Sequence, residues 1–184
     1  MTSYGAIIGA CWIAFFAIWF VLAIPGNTGR TTRSPAAIGL RVALGIAIVL
    51  GVIFYQRLPV LAFGRVTSVA AVVGCALCIA GLGFAVWARV ALGRSWGMPM
   101  TTHENPELVT SGPYRYVRHP IYTGMSAMVI GTALVLPAAL LWTVLMIVYM
   151  ISSARREERD MALRFPDAYP AYKQRSKMLV PFVL

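Results

Sequence analysis

The chain has 184 residues, 59% of them hydrophobic and 12% charged, with a formal net charge of +10 and a mean hydropathy of +0.75. A soluble domain carries about twice that charged fraction, and the long unbroken apolar blocks do not match the alternating strands of an outer-membrane barrel. The basic residues flank those blocks, so anionic lipid head groups, not nucleic acid, are the expected partner of the positive charge.

The expected fold class is all-α, a polytopic transmembrane bundle of five spans forming a single membrane domain over residues 1–184. The first span is Tyr4–Ile24, ending at Pro25-Gly26. It has no basic segment ahead of it and is too long for a cleavable signal peptide, so it is expected to stay as a helix. Gly5 and Gly9 form a GxxxG within it, a pattern that permits close helix packing. The second span is about Ala36–Tyr55 and the third about Val66–Ala88. Each holds about twenty residues, enough for a hydrocarbon layer of ~30 Å at 1.5 Å per residue. Cys75 and Cys78 form a CxxC, but apolar neighbours read them as small packing residues and not as a redox or zinc pair. Gly74, Gly81 and Gly83 again read as packing positions, because no strand precedes the Gly-Leu-Gly at 81–83.

A polar stretch from Arg89 to Arg118 follows, then an apolar block from Pro120 to Ser152. The block is too long for one span and short for two, so it predicts a tight hairpin turning near Leu136-Pro137. The last helix is expected to run on through Arg155–Phe165. Residues 1–88 therefore hold three N-terminal spans, and residues 89–184 hold the cofactor-binding loop, the hairpin and a cytoplasmic tail with its C-terminal helix. With the N-terminus outside, the segments 25–41, 89–118 and 153–184 face the cytoplasm and contain fourteen of the sixteen basic residues. That asymmetry follows the positive-inside rule. The predominance of arginine over lysine points to a bacterial inner membrane.

The residues able to do chemistry are concentrated in 92–124, which reads LGRSWGMPMTTHENPELVTSGPYRYVRHPIYTG. Ser111-Gly112-Pro113 makes a turn. His119-Pro120 opens the fourth span, with proline where its missing N–H costs nothing. That helix start presents free N–H groups and a positive dipole end, suited to a carboxylate or phosphate. A second cluster, Arg155-Arg156-Glu157-Glu158-Arg159-Asp160, lies where the fifth span leaves the membrane. Hairpin geometry brings it back beside His119. Arg118, His119, Tyr122 and Glu157 are read as functional. Arg30, Arg33, Arg41, Arg89, Tyr169 and Tyr172 are read as interfacial anchors, and Arg159, Asp160 and Arg164 as a solvated face. His103 is read as solvent-exposed in its loop.

The segment Glu107–Gly124, ELVTSGPYRYVRHPIYTG, followed by Glu157-Glu158 and then Tyr169-x-x-Tyr172, resembles the isoprenylcysteine carboxyl methyltransferase family and, more loosely, the phospholipid methyltransferases. The resemblance covers about residues 89–184. It implies a membrane-embedded methyltransferase that uses S-adenosyl-L-methionine. It also implies that Leu108, Val109, Tyr114, His119, Pro120, Ile121, Tyr122 and Glu157 fall on cofactor-contacting positions. The chemistry agrees: the cofactor carboxylate suits Arg118, His119 or the helix start, its amine and ribose hydroxyls suit Glu157, and its adenine suits Leu108, Val109 and Tyr114. In the prenylcysteine enzymes an arginine implicated in handling the substrate carboxylate stands four residues before the glutamate matching Glu157. Here that position is Ser153.

The reaction expected is an in-line methyl transfer to a lipophilic small-molecule or lipid-modified acceptor entering from the bilayer. A carboxylate or thiolate acceptor needs a positive group to place it, for which Arg118 and Arg156 are candidates. An amine or hydroxyl needs a base, for which Glu158 and His119 are candidates. Two rival readings are a nicotinamide-dependent sterol-type reductase, usually about twice as many spans, and a non-enzymatic membrane protein. Transporters tend to place ionisable residues at the bilayer midplane, and no charged residue lies mid-span here.

Overall fold

The computed structural model describes residues 3–23, 66–93 and 108–180. The expected second span, the loop 94–107 with His103, and Arg30, Arg33 and Arg41 lie outside these residues. The described residues are predominantly helical. The helices are α1 (Ser3–Ala23), α2 (Ser68–Leu92), α3 (Pro120–Val135), α4 (Leu140–Arg164) and α5 (Ala168–Arg175). Short 3-10 turns stand at Gly112–Arg115 and Pro137–Ala139.

Among the described residues, three stretches are long and apolar enough to cross a membrane: Ser3–Leu22, Ser68–Leu92 and Pro137–Arg164. Helix α3 is apolar but shorter, at 16 residues, about 24 Å long. The hairpin expected from the interrupted apolar block is present. Pro137 cannot continue α3 and starts the turn that reverses the chain into α4. Helix α4 runs well past the apolar stretch, and its last turns, from Ser153 to Arg164, carry the charges.

Helices α2 and α3 are packed antiparallel through glycines at a two-turn spacing. A Cβ on Gly74 would lie 2.7 Å from the Gly131 carbonyl oxygen, and one on Gly81 would lie 2.6 Å from that of Gly124. In a bilayer there is no hydrophobic drive between helices, so close backbone approach and van der Waals contact must supply the association. A Cβ added at Gly9 or Gly83, by contrast, would meet nothing within 4 Å among the described residues. Cys11, Cys75 and Cys78 are free and buried, in one apolar cluster with Ile8, Phe15, Ala85, Met128 and Val135.

Helix α1 lies parallel to α2. Near its start the Tyr4 carbonyl accepts from Cys75 Sγ at 3.7 Å, and near its end the Leu22 carbonyl accepts from Arg89 Nη2 at 2.8 Å. Trp12 Nε1 donates to Thr132 Oγ1 at 3.0 Å, tying α1 to α3. Arg89 is thus no interfacial anchor. It is buried, and Nη1 also donates to the Gly93 carbonyl at 3.2 Å. It satisfies carbonyls at two helix C-termini, the groups that a helix leaves unpaired.

Candidate functional site

The site forms where four pieces of chain meet at one end of the α3–α4 hairpin. The first is the segment leading into α3. Leu108 and Val109 stand half-buried in extended chain. Gly112 then turns with φ +60°, a backbone conformation that side chains with a Cβ rarely adopt. Pro113 and Tyr114 follow, both buried in the 3-10 turn. His119 caps α3 and the buried Pro120 occupies its first position. The first N–H to find an intrahelical acceptor is that of Thr123, on the His119 carbonyl at 3.0 Å. The N–H groups of Ile121 and Tyr122 therefore precede the helical ladder.

The second piece is the charged end of α4. Adjacent helix positions are turned about 100° apart, so Glu157 and Glu158 face different partners. Glu158 is buried and receives Arg118 Nε at 2.6 Å and Lys173 Nζ at 3.0 Å. Glu157 remains 42% exposed and accepts from the Tyr122 hydroxyl at 2.5 Å. Between the two carboxylates lies His119, its side chain only 9% exposed. Its Nδ1 is 3.5 Å from Glu157 Oε2 and its Nε2 is 3.7 Å from Glu158 Oε1. Nε2 is buried without a hydrogen-bond partner. The imidazole stacks on Tyr122 with centroids 5.7 Å apart.

The third piece is α5, and the fourth is the chain that follows it. Tyr169 and Tyr172 are not interfacial anchors, because both are buried. The Tyr172 hydroxyl donates to the Tyr114 carbonyl at 2.6 Å. After α5 the chain runs alongside residues 116–119, with a parallel bridge between Val117 and Lys177. The N–H of Arg118 donates to the Lys177 carbonyl at 2.8 Å, and that of His119 donates to the Met178 carbonyl at 3.1 Å. The Thr123 hydroxyl donates to the Leu179 carbonyl at 2.5 Å. Met178 and Leu179 pack on Ala154, Ile151 and Tyr122.

These contacts set the protonation states. Burial works against a charged His119, but the flanking carboxylates outweigh it and raise its pKa. Burial likewise works against an ionised Glu158, yet His119, Arg118 and Lys173 together hold it down, at about 2. Burial also opposes ionisation of Glu157, and His119 and Tyr122 reverse that, lowering it. The flanking carboxylates thus favour the protonated form of the imidazole that lies between them.

The structure brings Tyr114, Arg118, His119, Tyr122, Glu157 and Glu158 together at one end of the hairpin. Two of the roles expected for them do not match their surroundings. Arg118, read as a group that places the acceptor, is already engaged with Glu158 and with the carbonyls of Lys173 and Ser176. Glu158, read as a base, is held by three cationic neighbours. Arg156, by contrast, is exposed, and its Nη2 donates only weakly to Ser153 Oγ, at 3.4 Å. Sequence reasoning missed Lys173, Ser176, Met178 and Leu179. All four act through main-chain carbonyls, which leave no trace in residue identity, and Lys173 acts through its side chain as well.

The profile of the phospholipid methyltransferase family matches residues 69–168, from the start of α2 to the start of α5. Methanethiol S-methyltransferase 1 of Bradyrhizobium diazoefficiens is 35% identical over 77 residues, 42% of this chain and 27% of that protein. Protein-S-isoprenylcysteine O-methyltransferase of Saccharomyces cerevisiae is 29% identical over 134 residues, 70% of this chain and 56% of that protein. The chain thus covers less than two thirds of the length of either relative. With the family profile spanning more than half of its residues and enclosing the helical hairpin, His119 and both glutamates, the chain belongs to the phospholipid methyltransferase family of membrane proteins.

Proposed function

We propose that the protein is an S-adenosyl-L-methionine-dependent methyltransferase that methylates a lipophilic acceptor at the membrane surface. The supporting observation is the His119–Tyr122–Glu157 group at the start of α3, in a chain of a methyltransferase family. Its donor set fits the cofactor. The buried, unpartnered His119 Nε2 and the N–H groups opening α3 suit the cofactor carboxylate. The half-exposed Glu157 carboxylate suits an amine or ribose hydroxyl. Leu108, Val109 and the buried Tyr114 offer apolar and aromatic surface for adenine, and Pro120 and Ile121 line the same helix start. When bound, the cofactor supplies an electrophilic methyl group on a sulfonium.

The chain's own work is to bind, orient and exclude water. Holding the reacting atoms in line at about 3–3.5 Å can remove several kcal/mol from the barrier. The acceptor class is a carboxylate, thiol or amine on an apolar body that enters from the bilayer, and the exposed Arg156 is a cation at this end that can place it. The relatives are named for S-methylation of methanethiol and O-methylation of isoprenylcysteine. By the positive-inside rule the site faces the cytoplasm, in a bacterial inner membrane, with the N-terminus outside.

The test is calorimetric titration of the detergent-purified protein with S-adenosyl-L-methionine and, separately, NADPH. Micromolar binding of the first alone is expected, as is transfer of a labelled methyl group into lipid or thiol acceptors. Glu157→Ala and His119→Ala should weaken binding by at least about tenfold, one to two hydrogen bonds to a charged group, with the fold retained. Binding of NADPH alone would overturn the reading.

A further inference from the structure

The C-terminal strap, residues 168–179, touches the segment leading into α3, the first turn of α3 and the charged end of α4. Tyr172 holds Tyr114, and the Met178 and Leu179 carbonyls hold His119 and Thr123. The apolar side chains of Met178 and Leu179 pack on Tyr122. The strap has little covering surface of its own, because α5 is eight residues long, too short to be stable in isolation. Something must pin it. The bridge at Val117–Lys177 is a single one, with no sheet to extend it. The remaining ties converge on Arg118. Its Nη1 donates to the carbonyls of Lys173 and Ser176, while its Nε donates to Glu158 on α4. Lys173 reaches back from the strap to the same carboxylate at 3.0 Å. Ser176 Oγ closes the turn by donating to the Tyr172 carbonyl at 2.7 Å.

We propose that Arg118 is a positioning residue: with Glu158 and Lys173 it clamps the strap so that the strap's carbonyls hold His119 and the first turn of α3 in place for the cofactor. An arginine suits this task because its planar fork can serve a carboxylate and main-chain carbonyls at once, and a buried pair of this kind fixes geometry more than it adds stability. Arg118 and Glu158 lie within the stretch that the family profile covers, whereas Lys173 and the strap carbonyls are C-terminal to it. The proposal rests on the reading of His119 and Tyr122 as cofactor contacts.

The experiment compares wild type, Arg118→Met, Arg118→Lys and Lys173→Met as full-length detergent-purified proteins. Three readouts are taken. They are hydrogen exchange of residues 168–180 against α2 and α3 without cofactor, the NMR titration of the His119 imidazole, and the calorimetric Kd for S-adenosyl-L-methionine. With two histidines in the chain, His103→Asn assigns the His119 resonance. Arg118→Met should lose protection in the strap by about tenfold or more while α2 and α3 keep theirs, shift the His119 titration, and weaken cofactor binding by at least about tenfold. Arg118→Lys should recover part of each, and Lys173→Met should move each in the same direction by about threefold. Unchanged strap protection would overturn the clamp, and so would lost protection with an unmoved His119 titration and unchanged Kd. If Arg118→Met does not fold, Lys173→Met, which keeps the Arg118–Glu158 pair, decides between the same outcomes. A wild type that fails to bind the cofactor would sink the methyltransferase reading, while exchange and the His119 titration would still decide whether the clamp exists.

Discussion

Replacing Gly124 by alanine tests the glycine packing that joins α2 to α3. The new Cβ would lie 2.5 Å from the Gly81 carbonyl oxygen, 2.7 Å from the Ala85 nitrogen and 2.8 Å from the Ala85 Cβ. Two of these atoms are backbone and the third has no rotamer to change, so no side-chain movement relieves the contact and the helices must separate. Overpacking of this kind costs about 1–3 kcal/mol, while alanine's better helix propensity returns at most about 1 kcal/mol. A net loss of about 1–2 kcal/mol corresponds to a fall of about 2–8 °C in Tm for a chain of this size. Gly83→Ala is the internal control. Among the described residues its added Cβ meets nothing within 4 Å, so the propensity change dominates, and Tm should hold or rise by up to about 4 °C. The assay is thermal unfolding in one detergent, followed by tryptophan fluorescence. Equal shifts for the two variants, or a Gly124→Ala protein as stable as wild type, would refute the claim that backbone approach limits this interface. Gly124 also lies two residues from Tyr122, so the separated helices should bind S-adenosyl-L-methionine more weakly, and Gly83→Ala should bind it normally.

Stability should fall at both ends of the pH range. The raised pKa of His119 stabilises the fold fully below the unfolded value of about 6.5, and that contribution is lost as pH rises through the folded value. The lowered pKa of Glu158 stabilises the fold above the ordinary carboxylate range, and that contribution is lost as pH falls toward about 2. Tm measured from pH 3 to 9 should show both limbs, and His119→Gln should flatten the alkaline one. Arg89→Ala should lower stability by about 1–3 kcal/mol, because it strips a donor from the carbonyls of Leu22 and Gly93; a neutral result in the same thermal assay would show that water reaches those groups. Tyr172→Phe removes only the hydroxyl that donates to Tyr114 and should cost about 1 kcal/mol, read as a Tm shift. Ser153→Arg should move acceptor preference toward prenylated carboxylates, measured as methyl-label incorporation across an acceptor panel.

The sequence alone determined spans one and three, the turn at Pro137 and the meeting of the α3 start with the charged end of α4. Spans one and three are legible because a bilayer demands long apolar runs with internally satisfied backbone. The hairpin is legible because Pro137 interrupts such a run, and the start of α3 because His119-Pro120 is a helix opening with a chemical reason. The pairing of that opening with Glu157 and Glu158 follows from the chain returning through the hairpin. Roles were a different matter. Arg118 and Arg156 look alike in sequence, yet one is consumed by Glu158 and two carbonyls and the other is exposed. Glycines 74, 81 and 83 look alike too, yet among the described residues only the first two meet a neighbouring helix. Arg89, Tyr169 and Tyr172 have the composition of membrane-edge anchors and are buried instead. The strap's hold on His119 runs through the carbonyls of Lys177, Met178 and Leu179 and the side chain of Lys173. A main-chain carbonyl is the same on every residue, so only the tertiary structure could decide where each one points.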